Sequence, residues 1–266
     1  MERHAEQRTR THGNAAFGIT LAVSLAAQRL MSNITPSDPN PYSFQFWFTL
    51  ITVFLPFYIF AQALELRVNQ NRASGATFIP GLAFGFGMVP VIAALMSLIT
   101  PHFQYSNYIQ QNGTQYIGSM IFVYAIATPI IEEIVYRGVI LTYLRRFGDR
   151  FALIAQAVLF SLCHRNPVQS ISTFFFALVL GYIALTTGNI WAGVLAHFFN
   201  NLFALYGTVP IPWAVALVGM AGLYFLSKYK TFTRYRTANP SILGTLGVLA
   251  VCADDIAGEI KSCIIR

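Results

Sequence analysis

Two adjacent glutamates, Glu132 and Glu133, interrupt the apolar run IGSMIFVYAIATPIIEEIVYRGVILTYL. The chain has only 10 acidic residues, and these two stand where hydrocarbon is expected. A charge at that depth costs roughly 2.5–3.5 kcal/mol on insertion scales, so an ionisable group there marks a functional site by default. Arg137 follows Glu133 by four residues, and His164, His197 and Asn201 lie in later apolar runs. Residues four apart on a helix share a face. Glu133 is therefore set to hold Arg137, because an unpaired buried guanidinium would be expensive. Glu132 stands about 100° round the helix and is left for other chemistry. His197 and Asn201 share a face in the same way, with Asn200 turned from it. A carboxylate base, imidazoles and amide donors are the parts of a hydrolytic site.

Each residue also has a plainer reading. The glutamates could glue helices together through ion pairs, although a double carboxylate is a costly glue. His164 ends the run FALIAQAVLFSLCH, with Phe160 four residues before it on the same face. Taken alone, it suits an interfacial hydrogen-bonded histidine. His197 and Asn201 could make interhelical hydrogen bonds, worth roughly 0.6–2 kcal/mol each. The remaining histidines, His4, His12 and His102, fall in the N-terminal tail or a loop and need no chemical role.

The elements that must position these groups are membrane helices. The 266 residues are 55% hydrophobic and only 10% charged, with mean hydropathy +0.55. An ordinary soluble domain is about 25% charged. The net charge of +7 sits in short clusters between apolar runs rather than in one patch. That pattern points to a lipid bilayer as partner and away from nucleic acid. Cys163, Cys252 and Cys263 offer no paired framework and no CxxC, hence no disulfide and no cysteine metal site.

A span needs about 20 mostly apolar residues. Eight segments qualify: 15–31, 44–64, 78–99, 117–143, 151–164, 168–186, 190–206 and 211–229. The first contains Gln28 and Arg29 and reads as a retained span rather than a cleaved signal peptide. The fifth is short, and either tilts or continues through the turn at Arg165–Pro167. Arginines mark the N-terminus (Arg3, Arg8, Arg10), loop 65–77 (Arg67, Arg72) and loop 144–150 (Arg145, Arg146, Arg150). Lys228, Lys230, Arg234 and Arg236 follow the eighth segment, whereas loops 32–43 and 100–116 have no Lys or Arg. The positive-inside rule then puts both termini in the cytoplasm, a parity that eight spans satisfy. The expectation is an all-α, polytopic membrane helical bundle with about eight transmembrane helices. It divides into an N-terminal region of three spans (1–116), a motif-bearing core (117–229) and a cytoplasmic tail (230–266). In the tail, SILGTLGVLAV is too short to span. The terminal Cys263–Arg266 imitates a prenylation box but ends in Arg, which is not a usual ending.

Three segments of the core resemble the motifs of the CAAX protease and bacteriocin-processing family of intramembrane proteases, also called CPBP or Abi. That family is related to the type II CAAX prenyl endopeptidases. Its EExxxR, FxxxH and HxxxN appear here in order as EEIVYR (Glu132 to Arg137), FSLCH (Phe160 to His164) and HFFNN (His197 to Asn201). The resemblance covers roughly residues 117–206. It implies that Glu132 and His164 activate the attacking water and that His197 and Asn201 stabilise the oxyanion. Glu133, Arg137 and Phe160 would support them. It also implies a bacterial plasma membrane and a membrane-associated or prenylated peptide or protein as substrate.

No cofactor is required by this reading. A zinc variant stays open, with His164, His197 and Glu132 as ligands and one position for water, although the signature is not HExxH. Two other functions compete with proteolysis. One is a non-catalytic peptide-binding or bacteriocin self-immunity protein. The other is a proton-coupled carrier, which would be expected to show an internal repeat that this chain lacks. The substrate, its prenylation and the oligomeric state are not encoded in any motif.

Overall fold

The structure is a computed structural model that describes residues 2–31, 34, 40–66, 75–99, 115–164, 167–206 and 213–228. The tail 230–266, the Cys263–Arg266 box, His102 and most of the loops discussed above lie outside these residues.

Among the described residues the chain is all helix. α1 covers Glu2–Met31, α2 Pro41–Ala63 and α3 Gly75–Ile99. α4 covers Ile117–Phe147, α5 Asp149–Leu162 and α6 Pro167–Thr187. α7 covers Trp191–Tyr206 and α8 Trp213–Lys228. These fall on the eight expected segments, with α1 running well N-terminal of residue 15. Four are long and apolar enough to cross a bilayer: α2, α3, α4 and α6. The chain is thus a multi-pass membrane protein, and large apolar side chains such as Ile19, Ile59, Leu98 and Leu217 point outward, as a lipid-facing surface requires. The shortness of the fifth segment comes from a turn at Cys163–His164 after α5. His164 stands in that turn rather than in the helix.

Two helices depart from regular α geometry. α2 has a π-helical stretch at Leu50–Phe54, and α4 has two, at Ile121–Ala127 and Glu133–Ile140. The first two are each closely followed by a proline, Pro56 and Pro129, which removes one backbone donor. Single π-turns inside α-helices cluster at functional sites, and the last of the three begins at Glu133.

Packing follows the small residues. A Cβ built on Gly87 of α3 would lie 2.3 Å from the Cα of Gly219 in α8, and one on Gly222 would lie 2.6 Å from the Pro80 carbonyl oxygen. One on Gly85 would meet the Ala196 methyl at 2.5 Å, on α7. Backbones that approach this closely gain dispersion where lipid offers no hydrophobic drive. Gly148, between α4 and α5, holds φ at 110°, a value that L side chains avoid. There Asp149 takes a hydrogen bond from Arg145 at 2.9 Å. One core joins α1, α2, α4, α5 and α6 around Phe17, Phe57, Phe60 and Tyr143. A second joins α3, α6, α7 and α8 around Phe84, Met96, Leu180 and Ile183. A third links α2, α4 and α7 through Tyr42, Met120 and Leu205. The polar residues of the core motifs gather where these meet.

Candidate active site

Glu133 and Arg137 form the ion pair that their spacing predicts. Arg137 Nη1 donates to Glu133 Oε1 at 2.7 Å, and both side chains are fully buried. Arg137 Nη2 donates to the Ala177 carbonyl on α6 at 3.4 Å. Its guanidinium also lies over the Phe160 ring, 4.6 Å from the centroid, which adds cation–π attraction in a desolvated setting. Gln156 of α5, buried completely, gives Nε2–H bonds to Leu153 and to that same Ala177 carbonyl, each at 3.0 Å. The carbonyl of α6 is shared by Arg137 and Gln156, and so ties α4 and α5 together. A Cβ on Gly193 of α7 would stand 3.1 Å from Glu133 Oε2, so glycine lets α7 close over the carboxylate.

His197 of α7 lies between the two glutamates. Its Nδ1 is 3.0 Å from Glu133 Oε1 and its Nε2 is 3.7 Å from Glu132 Oε2. The first is a hydrogen bond; the second is too long for one. The rings of Phe160 and Phe176 flank the imidazole, edge to face, at centroid distances of 5.9 and 5.7 Å. A hydrogen bond from Nδ1–H to a carboxylate fixes both the tautomer and the ring plane, leaving Nε2 to face Glu132. His164 is set by similar means. Its Nδ1 is 2.9 Å from the Phe160 carbonyl oxygen, which can only accept, so Nδ1 carries the proton and Nε2 is left for the cavity.

Glu132, His164, His197 and Asn201 all line one cavity of about 410 Å³, while Glu133 and Arg137 stand behind its wall. The Glu132 side chain is 18% exposed against none for Glu133, so the two carboxylates face different surroundings, as helical geometry predicts. The boundary is structural as well: Glu132 closes an α-helical segment and Glu133 opens a π-helical one. Asn201 Nδ2 donates to the Tyr124 carbonyl of α4 at 2.8 Å. Asn200 departs from expectation. It lines the cavity too, and its Nδ2 donates to Asn201 Oδ1 at 3.2 Å.

The wall contains residues that sequence reasoning passed over. Gln28 of α1, Gln45 and Thr49 of α2, and Gln169, Ser172 and Thr173 of α6 bring neutral polar groups. Tyr136 donates from its hydroxyl to Cys163 Sγ at 3.0 Å beside them. The available signal was weak: isolated Gln, Ser and Thr in apolar runs.

Among the described residues no three His, Cys, Asp or Glu side chains converge as a metal-holding group. As placed, Glu132, His164 and His197 do not fit zinc, and no step below runs through it. What the arrangement offers chemically is a cavity-facing carboxylate, two imidazoles with fixed orientation and an amide-bearing helix, in surroundings that are otherwise neutral.

Residues 114–203 match the family model described as type II CAAX prenyl endopeptidase Rce1-like. That stretch begins just before α4 and ends within α7, and so contains every one of the motif residues. No curated protein and no solved structure matches the chain.

Proposed function

From the premise that residues 114–203 form an Rce1-like CAAX protease domain, we propose that the chain is an intramembrane endopeptidase. Its substrate would be a membrane-associated or prenylated peptide or protein. The observation that carries this reading is the single cavity into which Glu132, His164, His197 and Asn201 all open.

In this mechanism Glu132 takes a proton from a water held between it and His164 Nε2. General-base catalysis of this kind contributes typically 10²- to 10⁴-fold. The water oxygen attacks the peptide carbonyl, whose oxygen gains negative charge. That oxygen is met by His197, whose ring Glu133 holds at Nδ1, and by the amide N–H of Asn201 beside it. One such donor is worth about 10²- to 10³-fold. Glu132 then passes its proton to the leaving amine. Glu133 and Arg137 do not touch the substrate; they hold the His197 ring. The bundle would present eight spans with both termini in the cytoplasm, in a bacterial plasma membrane.

The test is cleavage by the purified full chain in proteoliposomes. It would be offered a prenylated CAAX-type peptide and unmodified membrane-inserted peptides, with products read by mass spectrometry. Cleavage that is lost in Glu132→Gln and in His164→Ala, both still folded, is the expected result. Wild-type binding without cleavage, unchanged by Glu132→Gln, would establish a peptide-binding or immunity protein instead. Cleavage retained by both variants would remove these two residues from the mechanism.

A further inference from the structure

The hydrogen bond from Asn201 to the Tyr124 carbonyl has a cause in the sequence of α4. Within Ile121–Ala127 the helix is π-wound, and the Thr128 N–H reaches back five residues to the Val123 carbonyl. The next donor in that register belongs to residue 129, which is proline and carries no N–H. The backbone donor due at Tyr124 is therefore missing, at a depth where a polar backbone group must be satisfied from within the protein. Asn201 Nδ2 stands 2.8 Å away and donates to that oxygen. Its own Oδ1 accepts from Asn200 Nδ2, so the amide is oriented with its nitrogen toward α4.

A related contact occurs at an unrelated place. α2 is π-wound at Leu50–Phe54, and the Leu55 N–H reaches the Leu50 carbonyl. Pro56 follows, and the Thr52 carbonyl lies one α-turn before it. Ser24 Oγ, from α1, donates to that carbonyl at 2.6 Å. Here the carbonyl stands four residues before the proline rather than five, and again a short polar side chain from a neighbouring helix takes it.

We infer that Asn201 is a positioning residue. Its side-chain amide replaces the backbone hydrogen bond that Pro129 removes, and this sets α7 against α4. His197 lies one turn earlier on the same face of α7, so the clasp fixes the reach of its ring to Glu133 at 3.0 Å and to Glu132 at 3.7 Å. The role is separate from any contact between Asn201 and substrate, because one N–H of the amide is already committed to the protein. The inference draws on the protease reading only for its activity readout.

Pro129→Ala restores a backbone N–H to this turn, which makes a direct test possible. The wild type, Pro129→Ala, Asn201→Ala and the double variant would be compared in detergent by thermal unfolding, and in proteoliposomes by cleavage of the peptides above. Asn201→Ala is expected to lower the melting temperature. In the Pro129→Ala background the same substitution should cost less than half as much. Asn201→Asp, close in shape but unable to donate as a carboxylate, should behave as Asn201→Ala does. Cleavage should fall about a hundredfold or more in Asn201→Ala, which loses the amide donor and misplaces His197 together, and the double variant should rise above Asn201→Ala without reaching the wild type, by the share that misplacement costs. Should Asn201→Ala not fold alone, recovery of folded protein with Pro129→Ala is the expected outcome, and failure in both backgrounds overturns the clasp. Equal losses of melting temperature in the two backgrounds also overturn it. Recovered stability with cleavage no higher than in Asn201→Ala alone overturns the positioning role. If the wild type cleaves nothing, the protease reading fails, and the thermal cycle still decides the clasp.

Discussion

Arg137→Met leaves the Glu133 carboxylate buried beside the His197 ring with its guanidinium partner gone. At 2.7 Å and an effective dielectric constant of about 20, the attraction between the two charges is about 6 kcal/mol. Desolvation of two ions costs several kcal/mol each and offsets most of that gain, so the intact pair adds little net stability. Removing one partner is different, because the carboxylate keeps its burial and loses its compensation. The expected loss is about 3–5 kcal/mol, increased slightly by the cation–π contact with Phe160. Glu133→Gln with Arg137→Met removes both charges at nearly constant volume, and should lie within about 1–2 kcal/mol of the wild type. Denaturant unfolding in mixed micelles, run as a double-mutant cycle, measures the difference. A loss below about 1 kcal/mol in Arg137→Met would refute the argument, since the pair would then be solvated rather than sealed. So would a double variant that loses the sum of the two single losses.

Three further outcomes follow from the geometry. Gly87→Val forces the backbones of α3 and α8 apart, because even a Cβ sits 2.3 Å from the Gly219 Cα; the cost should exceed the roughly 1–3 kcal/mol of ordinary overpacking, read by unfolding in detergent. Gln156→Leu removes two amide bonds and leaves the Ala177 carbonyl to the longer Arg137 contact, for a loss of about 1–3 kcal/mol by the same measurement. Chelator treatment should leave cleavage unchanged, since no metal-holding group converges among the described residues; stoichiometric zinc that disappears in His164→Ala and in His197→Ala would refute this.

Much of the architecture was legible in local pattern. The apolar segments end within a few residues of the observed helices, apart from the start of α1, because span length and charge are sequence-local quantities. The Glu133–Arg137 pair was legible for the same reason, as an i,i+4 relation within one helix. The partner of His197 was not. Its Nδ1 rests on Glu133, 64 residues away, and only the crossing of α4 and α7 brings them together. Asn200 was set aside on helical phase, yet the cavity is wide enough to reach it. Pro129 was visible as a proline, but the π-turn before it and the carbonyl it leaves to Asn201 are products of tertiary packing. Gln156 was hidden in plain view: a single Gln in an apolar run says that a partner exists, and gives no hint that it is a carbonyl of α6.

Three of the helices are short over their described residues. α5 has 14 residues and the described stretches of α7 and α8 have 16 each, rises of about 21 and 24 Å. The hydrocarbon layer of a bilayer is about 30 Å thick. Where such a wall faces lipid, acyl chains must shorten to meet it or headgroups must dip toward it, at a cost of fractions of a kcal/mol per Å of mismatch. The outward face of α8, with Trp213, Leu217 and Phe225, is where this indentation is expected. A dent of that kind brings the aqueous phase closer to the cavity. It also makes bilayer thickness a variable to which this protein should respond, with thinner membranes favouring its folded form.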